Sequence, residues 1–224
     1  MNITRQQILI GLVALAVVAL GVIAYLVFFA GGDSGSITAT EKYGITFTAR
    51  DRAQGSPGAP IMMVEYAAPS CPHCAAFDMD IFPLLKKNYI DKGKVYYVFR
   101  VFPLSSADVA AEAMARCLSK ENYFPFIDQL YRNQPKWDPE YGIQDVRGGL
   151  VQMGAMAGMS AQEVDACIGN TQEQTAITAV GTEAQSKYNV NGTPTFIVNG
   201  EQRVGEGTWA DWQDYLNKTI AKTR

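Results

Sequence analysis

The sequence has little charge of either sign, little cysteine and a single histidine. Its 224 residues include 19 Lys and Arg, 22 Asp and Glu, four Cys and one His, and the formal net charge is −3. Without a basic excess there is no electrostatic argument for nucleic-acid binding. Four cysteines are too few for a disulfide-built miniprotein, and 18% charged residues are too few for a disordered chain. The 48% hydrophobic content is enough for a sizeable core.

The apolar residues are concentrated in one stretch that carries no charge, residues 8–30 (ILIGLVALAVVALGVIAYLVFFA). A helix of this length rises about 35 Å, enough to cross a hydrocarbon core of about 30 Å. Arg5 precedes the stretch and Asp33 follows it, which favours a cytoplasmic N-terminus. The sequence therefore predicts a single-pass anchor in the cytoplasmic membrane over residues 1–30, with the remainder in the periplasm or extracytoplasmic space. The alternative is a cleaved signal peptide and a secreted protein.

The first part of the exported chain is predicted to contain strands and one helix. Residues 31–43 are predicted to be mainly a flexible tether, and residues 50–60 a Gly/Pro-punctuated loop. A helix is predicted from Cys71 towards Lys87, with a kink at Pro83. Strands are predicted over residues 44–49, 61–66 and 94–102. The strand–helix–strand order implies a right-handed parallel crossover.

The later part of the chain is first helical and then returns to strands. An Ala-rich helix is predicted over 108–119, and capping-box patterns at Ser160 and Thr171 predict two more helices, with Gly169 between them. A β-hairpin with an Asn-Gly turn and a last helix capped by Thr208 follow. Three predicted segments result: strands and one helix over residues 44–104, a helical block over 105–188, and a strand-containing segment over 189–224.

The four residues Cys71-Pro72-His73-Cys74 carry the chemistry that the sequence predicts. A CxxC pair is typical of structural zinc sites or of redox centres, but zinc needs a second ligand pair at a suitable spacing. The other two cysteines stand alone, and the only histidine lies between the first two. No metal and no other cofactor is predicted. A static structural disulfide remains the alternative to a redox pair.

A redox pair at a helix start has a definite geometry. If Cys71 is the N-cap, Pro72 takes the first helical position and Cys74 the third. The free N–H groups of the first turn, the helix dipole and His73 then favour a thiolate at Cys71, with a pKa well below about 8.5. A stabilised thiolate makes the disulfide a stronger oxidant. Cys71 is predicted to be the exposed, attacked sulfur and Cys74 the resolving one.

Two further features fit this chemistry. Thr193-Pro194 precedes a predicted strand, where a cis peptide bond would present the backbone of Thr193 to a peptide held near Cys71; an ordinary turn is the alternative. Glu65 is a carboxylate inside an apolar strand, where burial would raise its pKa and let it relay the proton of Cys74. The alternative for Glu65 is a strand-end residue that reaches water.

These residues resemble the DsbA-like thiol-disulfide oxidoreductases. The resemblance rests on residues 59–66, on the CPHC motif and on Gly192-Thr193-Pro194-Thr195-Phe196, and it extends over about residues 44–220. It implies an α/β architecture, a thioredoxin fold with an inserted all-helical domain, preceded here by the transmembrane helix. It also implies a nucleophilic Cys71, a cis bond before Pro194 and a buried acid at Glu65. Thr193 departs from the Val of the best-known periplasmic oxidase, which leaves the partner and the potential open.

The remaining cysteines, Cys117 and Cys167, both lie in the helical block. In an oxidising compartment they are predicted to form a structural disulfide; two separately buried cysteines are the alternative. The predicted function is an oxidase that donates the Cys71–Cys74 disulfide to reduced or misoxidised exported polypeptides, and that a membrane redox partner reoxidises. Two alternatives stay open: a reductase or isomerase kept reduced by a membrane electron donor, and a non-catalytic chaperone that binds peptides in the groove.

Overall fold

The structure is a computed structural model that describes residues 40–223. The predicted anchor over 1–30 and most of the predicted tether lie outside the described residues, so both stay predictions. Within residues 40–223, no helix combines the length and the apolar character needed to cross a bilayer. The unit that carries the fold comprises Glu41–Ile45 and the chain from Arg50 onward.

A mixed five-stranded sheet runs through this unit, in the order β3-β5-β4-β6-β7. Its five strands are β3 (Arg52–Gln54), β4 (Ile61–Ala67), β5 (Val95–Val101), β6 (Thr195–Val198) and β7 (Glu201–Val204); the short strands β1 (Thr40–Lys42) and β2 (Ile45–Phe47) lie outside this sheet. β4 and β5 pair in parallel, whereas the other pairs in this sheet are antiparallel. Every residue of β4 is buried, which requires both faces of the sheet to be covered there. The predicted strands over 61–66 and 94–102, their parallel pairing and the C-terminal hairpin are confirmed.

The predicted loop over residues 50–60 is wrong in part, because β3 lies within it. β3 pairs antiparallel with β5, with Arg52 opposite Phe99 and Gln54 opposite Tyr97. With only three residues (Arg52-Ala53-Gln54), β3 is too short to establish a strand period, so nothing local indicates a strand; pairing with the backbone of β5 defines it. Gly55 ends the strand at φ +89°, and a Cβ there would lie 2.5 Å from the Val95 carbonyl oxygen. Only glycine suits that position.

The helix predicted to begin at Cys71 does so, and helical structure continues to Ile90. It consists of α1 (Pro72–Ala76), a π-helical segment (Phe77–Ile81), α2 (Phe82–Leu85) and a second π-helical segment (Lys86–Ile90). The first π-helical segment ends two residues before Pro83, and its closing bond runs from the Phe82 N–H to the Phe77 carbonyl. Pro83 has no N–H to continue a regular ladder, which accounts for the change in helix type next to it; the predicted kink at Pro83 stays a prediction.

The helical block lies between β5 and β6. Its members are α3 (Ser106–Cys117), α4 (Lys120–Arg132), α5 (Gln134–Trp137), a 3₁₀ turn (Pro139–Tyr141), α6 (Val146–Met156), α7 (Ala161–Ile168) and α8 (Thr171–Tyr188); α9 (Trp209–Lys222) follows β7. Capping by Ser160 and Thr208 and the end of α7 at Gly169 are confirmed. Thr171 as a cap is wrong by one residue: Asn170 Oδ1 accepts the Glu173 N–H at 3.1 Å, because asparagine caps a helix better than threonine.

The Cys117–Cys167 disulfide joins α3 to α7, with the two Cα atoms 6.2 Å apart and 50 residues between them in sequence. A bridge closing a loop of this size stabilises by about 4 kcal/mol on the chain-entropy model. We expect the double substitution Cys117→Ser/Cys167→Ser to lower the free energy of unfolding by up to that amount. The measurement is urea unfolding in a Cys71→Ser/Cys74→Ser background, where no other disulfide can form. Equal unfolding free energies with and without the bridge would contradict the prediction.

Candidate active site

Cys71 lies at the junction between β4 and the first turn of α1. It is the N-cap residue in an extended conformation, and its Sγ accepts a hydrogen bond from the Cys74 N–H at 3.3 Å. Pro72 takes the first helical position, where its missing N–H costs no hydrogen bond. Both cysteines are free thiols in this structure. The local sequence thus places a sulfur where the unpaired N–H groups of a helix point.

The environment of Cys71 lowers its pKa to about 6. The largest cause is a hydrogen bond from the Cys74 thiol; burial acts in the opposite direction, and hydrogen bonds from Thr193 and from the backbone of Cys74 and His73 lower the pKa further. In the thiol form, Cys71 Sγ donates to the Thr193 carbonyl at 3.4 Å. The Thr193 hydroxyl is buried with no other partner among the described residues, so it is available to the thiolate.

The prediction that Cys71 is exposed is wrong, because only 4% of the residue is accessible. The carbonyl of Thr193 lies against its sulfur. Cys74 is fully buried, and that burial, together with the charges of Cys71 and Glu65, raises its pKa well above the ordinary value. The two sulfurs therefore differ strongly in acidity: near neutral pH Cys71 is a thiolate and Cys74 a thiol.

Glu65 lies inside the sheet, not at a strand end. It is 2% exposed and lies on the central strand β4, where its register partners are Phe99 on β5 and Phe196 on β6. Tyr97 Oη donates to Glu65 Oε2 at 2.5 Å. Burial raises the pKa of Glu65 to about 8, against the lowering effect of that hydrogen bond. The alternative in which this side chain reaches water is excluded, and a carboxyl that is protonated at neutral pH lies in the interior near both cysteines.

The peptide bond between Thr193 and Pro194 is cis, and β6 begins at the next residue. The structure thus brings the Thr193-Pro194 segment to Cys71, although 122 residues separate Thr193 from that cysteine. Within residues 40–223, no group of three or more His, Cys, Asp or Glu side chains could hold a metal ion.

Comparisons with known proteins agree with this geometry. Residues 48–218 match the family model described as thioredoxin. The crystal structure of α-DsbA1 from Wolbachia pipientis is similar to this chain with a TM-score of 0.72 and 26% identity, over 79% of this chain and 94% of that one. The chain belongs to the thioredoxin family, in its DsbA-like branch. The thioredoxin fold with an inserted helical block is therefore confirmed.

Two curated relatives extend the comparison for this DsbA-like chain. A Rickettsia conorii protein, assigned by name to the protein-disulfide oxidoreductases, is 36% identical over 154 residues, which are 68% of this chain and 54% of the relative. The chain thus spans about half the length of that protein. Disulfide bond formation protein D of Bacillus subtilis is 27% identical over 180 residues, which are 75% of this chain and 74% of the relative.

Two buried polar residues of the helical block hold the loop before the CPHC motif in this DsbA-like chain. Gln134 Nε2 donates to the carbonyls of Pro69 at 2.9 Å and of Cys71 at 3.1 Å. Asp108 Oδ1 accepts the Ser70 N–H at 2.8 Å. Neither residue was predicted as part of the site, since Gln134 carries no motif and Asp108 marks only a helix start. Together they provide hydrogen-bond partners for the backbone groups of this loop and so hold Cys71 in position.

His73 projects outward, and the structure pairs it with a carboxylate that the sequence analysis missed. His73 Nδ1 lies 3.1 Å from Glu206 Oε1, and 67% of the His73 side chain is exposed. Trp212 Nε1 donates to the Glu206 carbonyl at 2.7 Å, which anchors the loop between β7 and α9. Glu206 lies 133 residues from His73 in sequence, so no local signal connects the two.

Proposed function

We propose that this DsbA-like protein is an extracytoplasmic thiol-disulfide oxidoreductase that acts as an oxidase on exported polypeptides. The observation that carries the proposal is the opposite shift of the two sulfur pKa values, downward for Cys71 and upward for Cys74. Because Cys71 can be a thiolate only in the reduced protein, contacts that stabilise this thiolate stabilise the reduced form relative to the disulfide. By linkage, the Cys71–Cys74 disulfide gains oxidising power.

The reaction is a pair of thiol-disulfide exchanges. A substrate thiolate attacks Cys71 Sγ of the oxidised pair; the Cys71–Cys74 bond breaks, its electrons go to Cys74 Sγ, and Glu65 supplies the proton that this sulfur requires. A second substrate thiolate then attacks the substrate sulfur of the mixed disulfide, and Cys71 leaves as a stabilised thiolate. The substrate gains a disulfide, and the protein is left as a dithiol. This exchange needs no cofactor, and a membrane redox partner completes the cycle by reoxidising the pair.

The segment at Thr193 is the proposed contact for the substrate backbone. Thr193 and Pro194 immediately precede β6 and lie beside the Cys71 sulfur. An extended peptide that pairs with the backbone of Thr193 would place its own cysteine close to Cys71.

The proposed N-terminal anchor determines where in the cell the protein resides. Residues 1–30 would hold the protein in the cytoplasmic membrane with the catalytic part outside; cleavage would instead release a secreted protein. We retain the domain limits predicted above: tether 31–43, thioredoxin-fold segments 44–104 and 189–224, and helical insertion 105–188. N-terminal sequencing of the mature protein separates the two locations, because a start near Gly31 would contradict the anchor.

The test of the oxidase proposal is the thiolate titration of Cys71 together with the equilibrium of the pair against glutathione. We expect thiolate absorbance near 240 nm in the reduced protein to rise with a midpoint near pH 6, because the pKa of Cys71 is lowered to about 6. The Cys71→Ser variant is the control, in which this step is absent. A midpoint near pH 8 would remove the argument for a strong oxidant.

The two alternative functions, a reductase or isomerase and a non-catalytic chaperone, predict different results in redox and complementation assays. A reductase or isomerase would equilibrate with glutathione at a potential of about −200 mV or lower, and would reduce insulin without efficiently oxidising a reduced peptide. A chaperone would retain its function in vivo in the Cys71→Ser/Cys74→Ser variant. Full complementation by that variant would overturn the oxidase proposal.

A further inference from the structure

The loop between β7 and α9 is hydrogen-bonded to both parts of the exchange site. The Gly205 N–H donates to the Pro194 carbonyl at 2.9 Å, which attaches the loop to the cis-proline segment. The next residue, Glu206, has its Oε1 3.1 Å from Nδ1 of His73 in the CPHC motif. Two consecutive residues of one loop therefore contact the two parts of the chain that meet at the Cys71 sulfur.

The position of this loop does not depend on the Glu206 side chain. Trp212 Nε1 donates to the Glu206 backbone carbonyl at 2.7 Å. The Trp212 ring is buried and packs against Phe77 and Phe196, with ring centroids 5.8 and 4.7 Å apart. This anchor and the bond to the cis-proline segment both use backbone groups of the loop. A substitution at Glu206 therefore leaves the loop in place.

The imidazole ring of His73 is bound by Glu206 and not by the reacting sulfur. Within residues 40–223, the ring has one hydrogen-bond partner, the Glu206 carboxylate. The Cys71 sulfur instead accepts the Cys74 N–H and lies against the Thr193 carbonyl. His73 contributes to the lowered pKa of Cys71 through its backbone N–H. Its side chain, which the motif places one residue from either end, is held elsewhere.

We propose that Glu206 is a positioning residue that sets the redox equilibrium of the Cys71–Cys74 pair by holding the His73 ring away from the Cys71 sulfur. Glu206 acts through His73 and touches neither sulfur in the described contacts, so it is not a catalytic residue. This role rests on the proposed exchange reaction at Cys71 and Cys74. It assigns part of the control of that reaction to a loop 133 residues from the motif.

The contact with Glu206 affects the reduced protein more than the oxidised one. It occupies the N–H that the His73 ring would otherwise offer to a Cys71 thiolate. Hydrogen bonds from its own backbone N–H and from His73 lower the pKa of Glu206, so this carboxylate is charged at neutral pH and balances any positive charge on the ring. Because Cys71 is a thiolate only in the reduced protein, the loss of this support destabilises the reduced form. Glu206 therefore makes the pair a weaker oxidant.

The decisive variant is Glu206→Ala in the full-length protein, equilibrated with glutathione. Two glutathione thiols are oxidised to glutathione disulfide, and their two electrons reduce the Cys71–Cys74 disulfide to the dithiol. We expect the equilibrium constant for reduction of the protein to rise about three- to tenfold, because the freed His73 ring can turn to the thiolate. The thiolate absorbance midpoint should move to lower pH. An unchanged constant overturns the proposal, since a purely structural side chain would not alter it.

The double substitution shows whether Glu206 acts through His73. In a His73→Ala background, Glu206→Ala should change the equilibrium constant by less than about twofold, because no ring remains to be released and an exposed charge is screened. A shift of equal size in both backgrounds would overturn the positioning role and leave a direct effect of the charge.

Two further variants of Glu206 separate the contact from the charge. Glu206→Gln removes the charge but can still accept the His73 Nδ1–H, so its equilibrium constant should stay closer to that of the wild type. Glu206→Asp keeps the charge, but its side chain is one methylene shorter, so it should shift the constant in the same direction as Glu206→Ala. The reverse order of these two variants would contradict the proposal. The matched control is Glu201→Ala, because Glu201 is an exposed carboxylate of β7 that contacts the Tyr215 hydroxyl at 3.3 Å.

The outcomes for Glu206 are separable from those for the proposed function. The ratio of the variant constant to the wild-type constant tests Glu206 whatever the absolute potential of the wild type. A wild-type protein that exchanges no disulfides overturns the proposed function, and the thiolate midpoints of the reduced proteins then still test Glu206. If Glu206→Ala is less stable on heating, Glu206→Asp decides, because it retains most of the side chain.

Discussion

Replacement of Cys71 by serine should abolish disulfide exchange, with a loss of at least about 10³-fold in peptide oxidation. The reacting sulfur must leave or attack as a thiolate, and a serine hydroxyl does neither at neutral pH. Cys71 alone occupies the N-cap, where the Cys74 N–H reaches its side chain at 3.3 Å. No other described cysteine is both free and of lowered pKa.

Cys74→Ser gives the complementary result. Its Cys71 can form a mixed disulfide with an oxidised substrate or partner, but nothing resolves the bond from inside, so a covalent complex should accumulate on non-reducing gels. The matched control is Cys117→Ser/Cys167→Ser, which should retain exchange because that bridge joins α3 to α7. A covalent complex formed through Cys74 in the Cys71→Ser protein would contradict the assignment of roles.

Replacement of Glu65 by glutamine should stabilise the protein at high pH and slow exchange. The pKa of this carboxyl is raised from its ordinary value of 4.5 to about 8 in the folded protein. Between these values the folded state binds a proton that the unfolded state has released. Stability therefore falls as pH rises through this interval, and the loss is complete above pH 8. The lost stability is about 4 to 5 kcal/mol at 1.36 kcal/mol per pKa unit, and Glu65→Gln should recover most of it.

The measurement is chemical unfolding of reduced wild type and Glu65→Gln at pH 4, 6 and 8, with the exposed Glu140→Gln as the control. The difference between the curves should be small at pH 4 and largest at pH 8. Exchange should become about 10²-fold slower in Glu65→Gln, because the amide has no proton to give to Cys74. Glutamine can still accept the hydrogen bond of Tyr97. A constant stability difference at all three pH values would show that Glu65 does not hold an extra proton in the fold.

Much of the site could be predicted because it depends on residues that are close in sequence. The helix start at Cys71 follows from proline at the first helical position and from a side chain that can accept an N–H three residues on. The β-hairpin follows from Asn199-Gly200, and the burial of β4 follows from its apolar run. The lowered pKa of Cys71 follows from the same helix start, since its strongest hydrogen-bond partner, Cys74, lies within one turn.

The features that could not be predicted depend instead on residues that are far apart in sequence. β3 exists because β5 offers its backbone edge, and Cys71 is covered because Thr193, far along the chain, lies against it. Gln134 and Glu206 each contact the site from elements more than 50 residues away from the groups that they bind. No pattern of one segment records such a partner, because a hydrogen bond or an apolar contact between distant elements depends on how those elements pack.

Local sequence patterns were sufficient to predict the CPHC helix start, the β-hairpin, the buried strands and the family of this protein. These rest on short-range hydrogen bonds, on hydrophobic periodicity and on the conformational preferences of proline and glycine. Packing between distant elements sets the rest: it covers Cys71 with Thr193, encloses Glu65 beside Tyr97, and brings Gln134 to the loop before the CPHC motif. The acidity of a buried group is set by all the atoms around it, and packing alone assembles those atoms.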